Sequence, residues 1–287
     1  MEFPITELSP DLFPVGLTEI PHPPKVLNYR GILPSAETTL LSVVGSRKYT
    51  TYGKQAVDAL IDGLAGYNIG IVSGLALGID SLAHEAALRN NLYTLAIPGG
   101  GLGDAVLYPA QHKQLAHRIL EAGGGLLSEF ESDFRATNWS FPQRNRLVAG
   151  ISQATLLVEA GEKSGTLITA RMTVDYNREL LAVPGSIFSA TSRGTHQFLR
   201  LGATLVTSSE DILQELNIEA ADDVPSQTNL LLSPNEQEVV DLLTEPTHRD
   251  TLIRQLAAPT HETAQLLMMM EIQGHIASEQ NVYRRIL

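Results

Sequence analysis

Cysteine is absent from this chain of 287 residues, so disulfides, thiolate metal sites and a thiol nucleophile are all excluded. Its eight histidines are scattered without an H-x-x-x-H pair, and neither a P-loop nor a G-x-G-x-x-G fingerprint occurs. We therefore expect no metal and no cofactor. The apolar runs are far shorter than the ~20 residues that span a bilayer, and the start lacks the basic-then-apolar order of a signal peptide. A cytoplasmic protein without a membrane partner is expected.

Positive charge is also scarce, with 20 Lys and Arg against 32 Asp and Glu and a net charge of −12. This balance alone argues against a nucleic-acid partner. Its distribution changes that conclusion. Residues 207–245 hold ten acids and no Lys or Arg, whereas residues 40–206 hold fourteen bases and thirteen acids. The net charge therefore says little about the surface of the central part.

From residue 40 onward, short apolar runs alternate with helical patterns. The runs fall at 40–44, 69–72, 93–97, 125–128, 154–158, 179–183 and 203–206. Helical patterns fall at 52–66, 79–90, 111–122, 142–150, 165–177, 195–201 and 208–217. Runs of this length that are apolar at nearly every position indicate strands buried on both faces, and the alternation predicts an α/β fold with a parallel sheet. Ligands of such sheets bind beyond the carboxyl ends of the strands.

Composition divides the chain into four segments. Residues 1–39 are rich in proline and predict an extended lead-in that packs along a main domain at 40–217. Residues 218–233 predict a flexible acidic linker. Residues 234–287 contain three helical patterns and a terminal strand or wing, which fit a small winged-helix-like domain. We expect the methionines at 268–270 in the core of that domain.

Two motifs at predicted strand ends suit phosphate binding. Gly45-Ser46-Arg47 joins a strand to a helix, and Arg47 would clamp a phosphate beside Ser46. The alternative is a tight turn with a surface arginine. Ser164-Gly165-Thr166 opens a later helix and predicts a phosphate cup, an N-cap, or both.

Residues 139–146 gather two aromatic side chains, two guanidinium groups and an amide. Aromatic faces stack on bases and arginines neutralise phosphates, a combination typical of single-strand binders. The alternative places Trp139 and Phe141 in the core and pairs the arginines with acidic residues. We favour ligand binding. The acids considered for such pairs are Glu129, Glu131 and Glu159.

These motifs, in this order, resemble the DprA/Smf family of bacterial DNA-processing proteins over about residues 40–215. The resemblance implies an extended Rossmann-like fold that binds single-stranded DNA at the rim of the sheet. It also implies a non-enzymatic role in natural transformation, in which a homodimer protects incoming strands and loads the recombinase RecA. The matching residues include Val44-Gly45-Ser46-Arg47, Ser73-Gly74-Leu75-Ala76, Gly78-Ile79-Asp80, Ala83-His84, Tyr108-Pro109, Ser128-Glu129-Phe130, Phe141-Pro142, Arg144-Asn145-Arg146, Ser164-Gly165-Thr166 and Val183-Pro184-Gly185-Ser186.

The resemblance also implies roles for individual residues. Arg47 would hold the backbone phosphate together with Gly45 and Ser46, and Phe141 would contact a base. The pocket would be lined by Gly74, Gly78, Ser164, Gly165 and Thr166. The remaining residues, Arg144, Asn145 and Arg146, would hold the pocket together or contact the strand. In full, the residues implied for DNA binding are Gly45, Ser46, Arg47, Gly74, Gly78, Phe141, Arg144, Asn145, Arg146, Ser164, Gly165 and Thr166.

The sequence departs from the family at three positions that usually carry a basic residue, namely Leu77, Ala110 and Asn138. Each lost phosphate contact would weaken DNA binding. Three other residues offer replacement charge, namely Lys48, Lys113 and Lys163.

An enzyme with a related fold is the competing interpretation. LOG-like nucleoside-monophosphate phosphoribohydrolases use a Pro-Gly-Gly-x-Gly-Thr-x-x-Glu motif with a catalytic Glu. Residues 98–104 here are Pro-Gly-Gly-Gly-Leu-Gly-Asp and lack both the Gly-Thr pair and the Glu. This difference favours a DNA-binding protein.

Overall fold

The computed structural model describes residues 3–219, 233–243, 245–256, 258–273, 275–279 and 281–285. The chain divides into two compact units, Met1–Val224 and Pro225–Leu287. Most of the predicted acidic linker, residues 220–232, lies outside the described part of the chain.

The first unit is built on a nine-stranded sheet with the order β1-β2-β6-β5-β4-β3-β7-β8-β9. Strands β3 to β9 are parallel to one another, which confirms the predicted α/β sheet. The strands are β1 (Ile5–Glu7), β2 (Asn28–Gly31), β3 (Thr39–Val44), β4 (Ile69–Ser73), β5 (Tyr93–Ala96), β6 (Gly125–Ser128), β7 (Ala154–Leu157), β8 (Glu179–Ala182) and β9 (Thr204–Leu205).

The proline-rich start contributes two strands that the sequence did not predict. Strand β2 pairs antiparallel with β6, and β1 pairs antiparallel with β2. Leu17 and Leu27 from this segment are fully buried in the same core cluster as Leu127 of β6. The two strands are only three and four residues long and carry no apolar run, so the pattern that predicted the other strands is missing from them. Residues 5–31 thus form one edge of the sheet.

Helices cover both faces of this sheet. Alternate side chains of β3 point to opposite faces, so that Leu41 and Val43 lie in one core cluster while Leu40 and Val44 lie in another. The helices are α1 (Val15–Thr18), α2 (Thr51–Asp62), α3 (Ile79–Arg89), α4 (Lys113–Glu121), α5 (Ser140–Ile151), α6 (Thr166–Asp175), α7 (Arg193–Arg200) and α8 (Ser209–Glu215).

The chain reverses its direction across the sheet beside β3. From β3 it proceeds through β4 and β5 to β6, and then returns to β7 on the other side of β3. The crossover helices on the two sides leave a crevice at such a switch point, beyond the carboxyl ends of the strands. The loops after β3 and β7 border this crevice.

The second unit has the strand order β10-β12-β11 and three helices with a common core. This is the predicted winged-helix arrangement, with β10 added. Of the three methionines expected in the core, only Met270 is buried, while Met268 and Met269 are exposed. The elements are α9 (Pro234–Leu242), β10 (Thr247–His248), α10 (Arg249–Gln255), α11 (Thr260–Ile272), β11 (Ile276–Glu279) and β12 (Val282–Arg285).

Candidate nucleic-acid interface

A cavity of about 500 Å³ opens beyond the carboxyl ends of β3, β4 and β7, at the switch point of the sheet. This cavity is called the rim cavity below. It brings together ten of the twelve residues that the sequence indicated for DNA binding. Those ten are Gly45, Ser46, Arg47, Gly74, Phe141, Arg144, Asn145, Ser164, Gly165 and Thr166. Gly78 and Arg146 do not line it.

The loop after β3 presents Arg47 to solvent. Its guanidinium carbon lies 5.4 Å from the centroid of the Phe141 ring, a cation–π arrangement. Among the described residues, no carboxylate forms an ion pair with Arg47, so the guanidinium is available to an external anion. The hydroxyl of Ser46 closes the loop, since it accepts from the Lys48 amide at 3.1 Å and donates to the Lys48 carbonyl at 2.8 Å.

Aromatic side chains continue from Phe141 along the rim. The Tyr108 ring lies 5.8 Å from the Phe141 ring and is half-exposed. Trp139 is also exposed and packs edge-on against Phe130 and Phe134. The alternative that placed Trp139 and Phe141 in the core is therefore wrong, because Phe141 is only partly buried and lines the cavity.

Arg144 is buried at the floor of the cavity. One of its terminal nitrogens donates to the carbonyls of Gly74 and Ile97, at the ends of β4 and β5. Burial lowers the pKa of Arg144 to about 10, opposed by Asp80, which leaves the side chain charged near neutral pH. Arg144 thus holds two strand ends together.

Asp80 is the buried acid that balances this charge. Its carboxylate accepts from the amides of Gly74 at 3.1 Å and Ala76 at 3.3 Å. Burial raises the pKa of Asp80, while Arg144 and the two amides oppose the shift. The sequence showed Asp80 only as part of a motif that matches the family, and its part in shaping the loop after β4 was missed.

Two glycines of this loop are required by close approach. A Cβ at Gly74 would lie 2.6 Å from the carboxylate of Asp80. Gly78 has a φ of +90°, and a Cβ there would lie 2.7 Å from the Cα of Arg47. Gly78 therefore supports the Arg47 loop from behind instead of lining the cavity.

Arg146 lies outside the rim cavity and forms an ion pair with Glu129. Both side chains are largely buried. Burial raises the pKa of Glu129, while Gln143 and Arg146 oppose that shift. Of the acidic partners considered for this arginine, Glu129 is the one in contact.

The start of α6 forms the side of the cavity opposite Phe141. The hydroxyl of Thr166 donates to the Gly45 carbonyl at 2.9 Å, and the hydroxyl of Ser164 accepts from the Thr166 amide at 3.2 Å. No atom lies within 4 Å of the position that a Cβ at Gly165 would take. The backbone at Gly165 is thus open to a ligand, whereas the two hydroxyls are engaged within the protein.

Glu159 connects three loops at this edge of the sheet. Its carboxylate accepts from the Thr50 amide at 2.9 Å, the Thr50 hydroxyl at 2.6 Å and the Thr191 hydroxyl at 3.0 Å. A carboxylate is favoured there by the amides at the start of α2. The protein's own anion therefore occupies that helix start, which leaves Arg47 and Lys48 as the exposed charges of the loop after β3.

The glycine-rich segment 98–104 packs against residues 131–136 and does not line the cavity. The Gly101 amide donates to the Phe134 carbonyl at 2.9 Å, and Asp104 pairs with Arg30 at 2.6 Å. Close packing accounts for its glycines.

Of the lysines that offered replacement charge, Lys48 lines the cavity while Lys113 and Lys163 do not. The positions that depart from the family pattern, Leu77, Ala110 and Asn138, are all exposed. Within the described ranges, no three potential metal-ligating side chains cluster, and no helix is long and apolar enough to cross a membrane.

Fold and site together define an α/β protein with a basic and aromatic cavity at the sheet rim and an appended winged helix. The family model for DNA recombination-mediator protein A matches residues 5–217, and that for the DprA winged helix domain matches residues 223–280. The chain belongs to the DNA recombination-mediator protein A family, which confirms the DprA/Smf resemblance.

Two relatives are similar to this chain over three quarters or more of its length. Protein Smf of Escherichia coli is 36% identical, with 96% of this chain and 75% of that protein covered. DNA processing protein DprA of Streptococcus pneumoniae is 39% identical over 75% of this chain and 74% of its own length.

Two solved structures are similar to this chain in fold. The X-ray structure of the Streptococcus pneumoniae protein has a TM-score of 0.69 at 37% identity, covering 77% of this chain and 76% of that one. DNA processing protein A of Helicobacter pylori has a TM-score of 0.67 at 30% identity, covering 75% of this chain and 97% of that one. That structure describes the unique single-stranded DNA binding mode of the Helicobacter pylori protein.

Proposed function

We propose that this chain binds single-stranded DNA in the rim cavity. Arg47 holds a backbone phosphate, and Phe141 contacts a base. The observation that carries the proposal is the exposed guanidinium of Arg47 over the ring of Phe141, because one group suits a phosphate and the other a base face. The strand-binding relative from Helicobacter pylori supports the same ligand class.

The charges around the cavity favour an anionic ligand despite the acidic composition. Asp80 is the acid among its lining residues, and it is buried and faces backbone amides. Arg47 and Lys48 are exposed. A phosphate at the mouth therefore meets two exposed cations, while the charges of the buried Asp80 and Arg144 below it nearly cancel.

We further infer that the protein acts in the cytoplasm as a homodimer that protects incoming strands and loads RecA during natural transformation. Family membership supports this role. Nuclease digestion of an oligonucleotide, with and without the protein, measures protection. RecA filament formation on strands covered by single-strand-binding protein measures loading. Light scattering measures the mass. Unchanged digestion would contradict protection of the strand, and unaccelerated filament formation would contradict RecA loading. The mass of a monomer would contradict the homodimer.

Fluorescence anisotropy with a labelled oligo-dT tests the binding site. Arg47→Ala removes one charge-assisted phosphate contact, worth about 1.5–3 kcal/mol, and we expect a loss of affinity of about tenfold or more. Arg200→Ala is the matched control, because Arg200 is exposed at the end of α7, which runs toward the opposite edge of the sheet. Equal affinity of the Arg47 and Arg200 variants would contradict the proposed site.

Incubation with AMP tests the enzymatic alternative. We propose that no LOG-like hydrolysis occurs, since residues 98–104 lack the catalytic Glu and pack away from the cavity. Chromatographic detection of free adenine at a rate above the buffer control would overturn this assignment.

A further inference from the structure

Two large apolar side chains stand almost fully in solvent after β8. Phe188 is 91% exposed and Ile187 is 77% exposed, and Phe188 is the most exposed large hydrophobic residue of the described chain. The surrounding loop is ordered by short-range hydrogen bonds, such as that from the Ser189 amide to the Ser186 carbonyl at 3.0 Å. Adjacent exposed apolar side chains on a structured loop indicate a surface that contacts a ligand or a partner molecule.

The loop lies at the same edge of the sheet as the rim cavity. Strand β8 is parallel to β7, and β7 is parallel to β3, so the loops after all three emerge on one side. Two strand spacings separate β8 from β3, which amounts to about 10 Å.

Direct contacts fix the loop relative to the cavity. The Tyr52 hydroxyl donates to the Pro184 carbonyl at 2.6 Å, and Glu159 bonds both Thr50 and Thr191. The backbone of Gly194 also approaches Leu167, which follows the cavity residue Thr166. The loop after β8 is therefore held by residues that adjoin the cavity-lining parts of the loops after β3 and β7.

Exposed aromatic, basic and acidic side chains occur in the loops after β3 and β7 and at the start of α2, the acid being Glu162. Tyr49 is 44% exposed and Tyr52 is 46% exposed. Lys48 and Lys163 are exposed in the loops after β3 and β7. Exposed rings interspersed with cations are the pattern of surfaces that follow a single strand, because bases stack on the rings while phosphates meet the charges.

We propose that Phe188 is a second base-stacking site, which takes a nucleobase of the strand that leaves the rim cavity across Tyr52. This inference rests on the proposed function. It assigns the class of ligand, a nucleobase within single-stranded DNA, to a loop outside the cavity.

A second copy of the chain is the competing occupant of this loop. Stable protein interfaces bury about 800 Å² on each partner. Two adjacent apolar residues, flanked by the exposed polar residues Ser186 and Arg193, supply only part of such an area. Continuity with a basic and aromatic path favours the nucleobase.

The test compares a dT 12-mer with a 12-mer that has the same phosphates and no bases, both titrated by anisotropy at low salt. Base–aromatic stacking corresponds to roughly 5- to 150-fold in affinity per base. We expect Phe188→Ala to weaken binding of the dT 12-mer about fivefold or more and to leave the abasic 12-mer unchanged. Phe188→Trp restores the affinity because it restores a stacking face. Leu201→Ala is the matched control, since Leu201 is 71% exposed at the far end of α7.

Equal affinity of wild type and Phe188→Ala for the dT 12-mer would overturn the inference. So would a loss that is the same for both oligonucleotides, or one accompanied by a change in mass by light scattering, which would assign the loop to a second copy. Failure of the proposed function has a different signature, because then the wild type does not bind the dT 12-mer or Arg47→Ala binds it as tightly.

Discussion

Three arginines near the rim cavity differ by their surroundings and not by their chemistry. Arg47 is exposed and lies over Phe141. Arg144 is 4% exposed and bonds two backbone carbonyls. Arg146 is paired with Glu129 outside the cavity. The first therefore suits a ligand, while the other two stabilise the architecture that presents it.

This division predicts opposite effects of two arginine variants. Arg146→Ala leaves Glu129 largely buried without its partner, and we expect it to lower the free energy of unfolding by about 2 kcal/mol or more. Arg47→Ala is expected to change stability by less than about 0.5 kcal/mol and to lose DNA affinity instead. Urea denaturation and anisotropy, measured on both variants, check this. A stable Arg146→Ala protein would contradict the structural role.

His84 predicts a pH dependence of stability. Its ring is fully buried, its Nδ1 lies 2.7 Å from the Thr94 hydroxyl, and burial, with His112 and Arg144, lowers its pKa from 6.5 to about 3. The unfolded chain thus takes up a proton near pH 6.5 that the folded protein does not take up until about pH 3. Stability contributed by the neutral ring is complete above pH 6.5 and declines as the pH falls between these values.

Between pH 7 and pH 5 this decline amounts to about 2 kcal/mol. Between pH 7 and pH 5 we expect the His84→Gln variant to lose about 2 kcal/mol less stability than the wild type. Urea denaturation at the two pH values checks the difference, which removes the contributions of other titrating groups. Parallel losses in both proteins would show that His84 is not the responsible group.

At the scale of elements, the site is an assembly of loops whose mutual position depends on Glu159. We expect Glu159→Gln to lower the free energy of unfolding by about 1–3 kcal/mol, because the amide that replaces one oxygen cannot accept from Thr50 or Thr191. The midpoint of thermal unfolding would fall by about 2–4 °C per kcal/mol. Glu162→Gln is the matched control, since Glu162 is exposed in the same loop. Equal midpoints of the two variants would contradict the coupling.

The sequence predicted elements well where burial leaves a pattern. Strands β3 to β8 carry apolar runs because helices cover both of their faces, and the loops after β3 and β4 begin with the glycines Gly45 and Gly74 that the site needs. Strands β1 and β2 carry no such run and were missed. Glu129 was one of three acids that the sequence offered as partners of the arginines, and it pairs with Arg146. The partners of Arg144 and Glu159 were beyond prediction, because they lie far apart in the chain and only the folded sheet brings them together.

At the scale of the whole molecule, the acidic composition and the proposed DNA binding are compatible because charge is unevenly distributed. Within the described part of the second unit, α11 carries no Lys or Arg and exposes Met268, Met269 and Ile272. Such a surface does not attract phosphates. The rim cavity, with exposed Arg47 and Lys48, belongs to the first unit, and we expect the DNA affinity to reside there.

A chain ending at residue 217 tests this expectation. We predict that its affinity for oligo-dT is within about twofold of the full chain, because it retains every residue that lines the rim cavity. Anisotropy on both proteins, after circular dichroism has shown the shortened chain to be folded, provides the measurement. A folded but non-binding chain would assign the interaction to the second unit.

The central claim, that Arg47 contacts a phosphate, is tested most directly by the salt dependence of oligo-dT binding. Each phosphate contact to single-stranded DNA contributes about −0.7 to the slope of log K against log salt concentration. We predict a steep negative slope for the wild type, a slope shallower by about 0.7 for Arg47→Ala, and an unchanged slope for Arg200→Ala. A wild-type affinity independent of salt, or identical slopes for the wild type and Arg47→Ala, would contradict the claim.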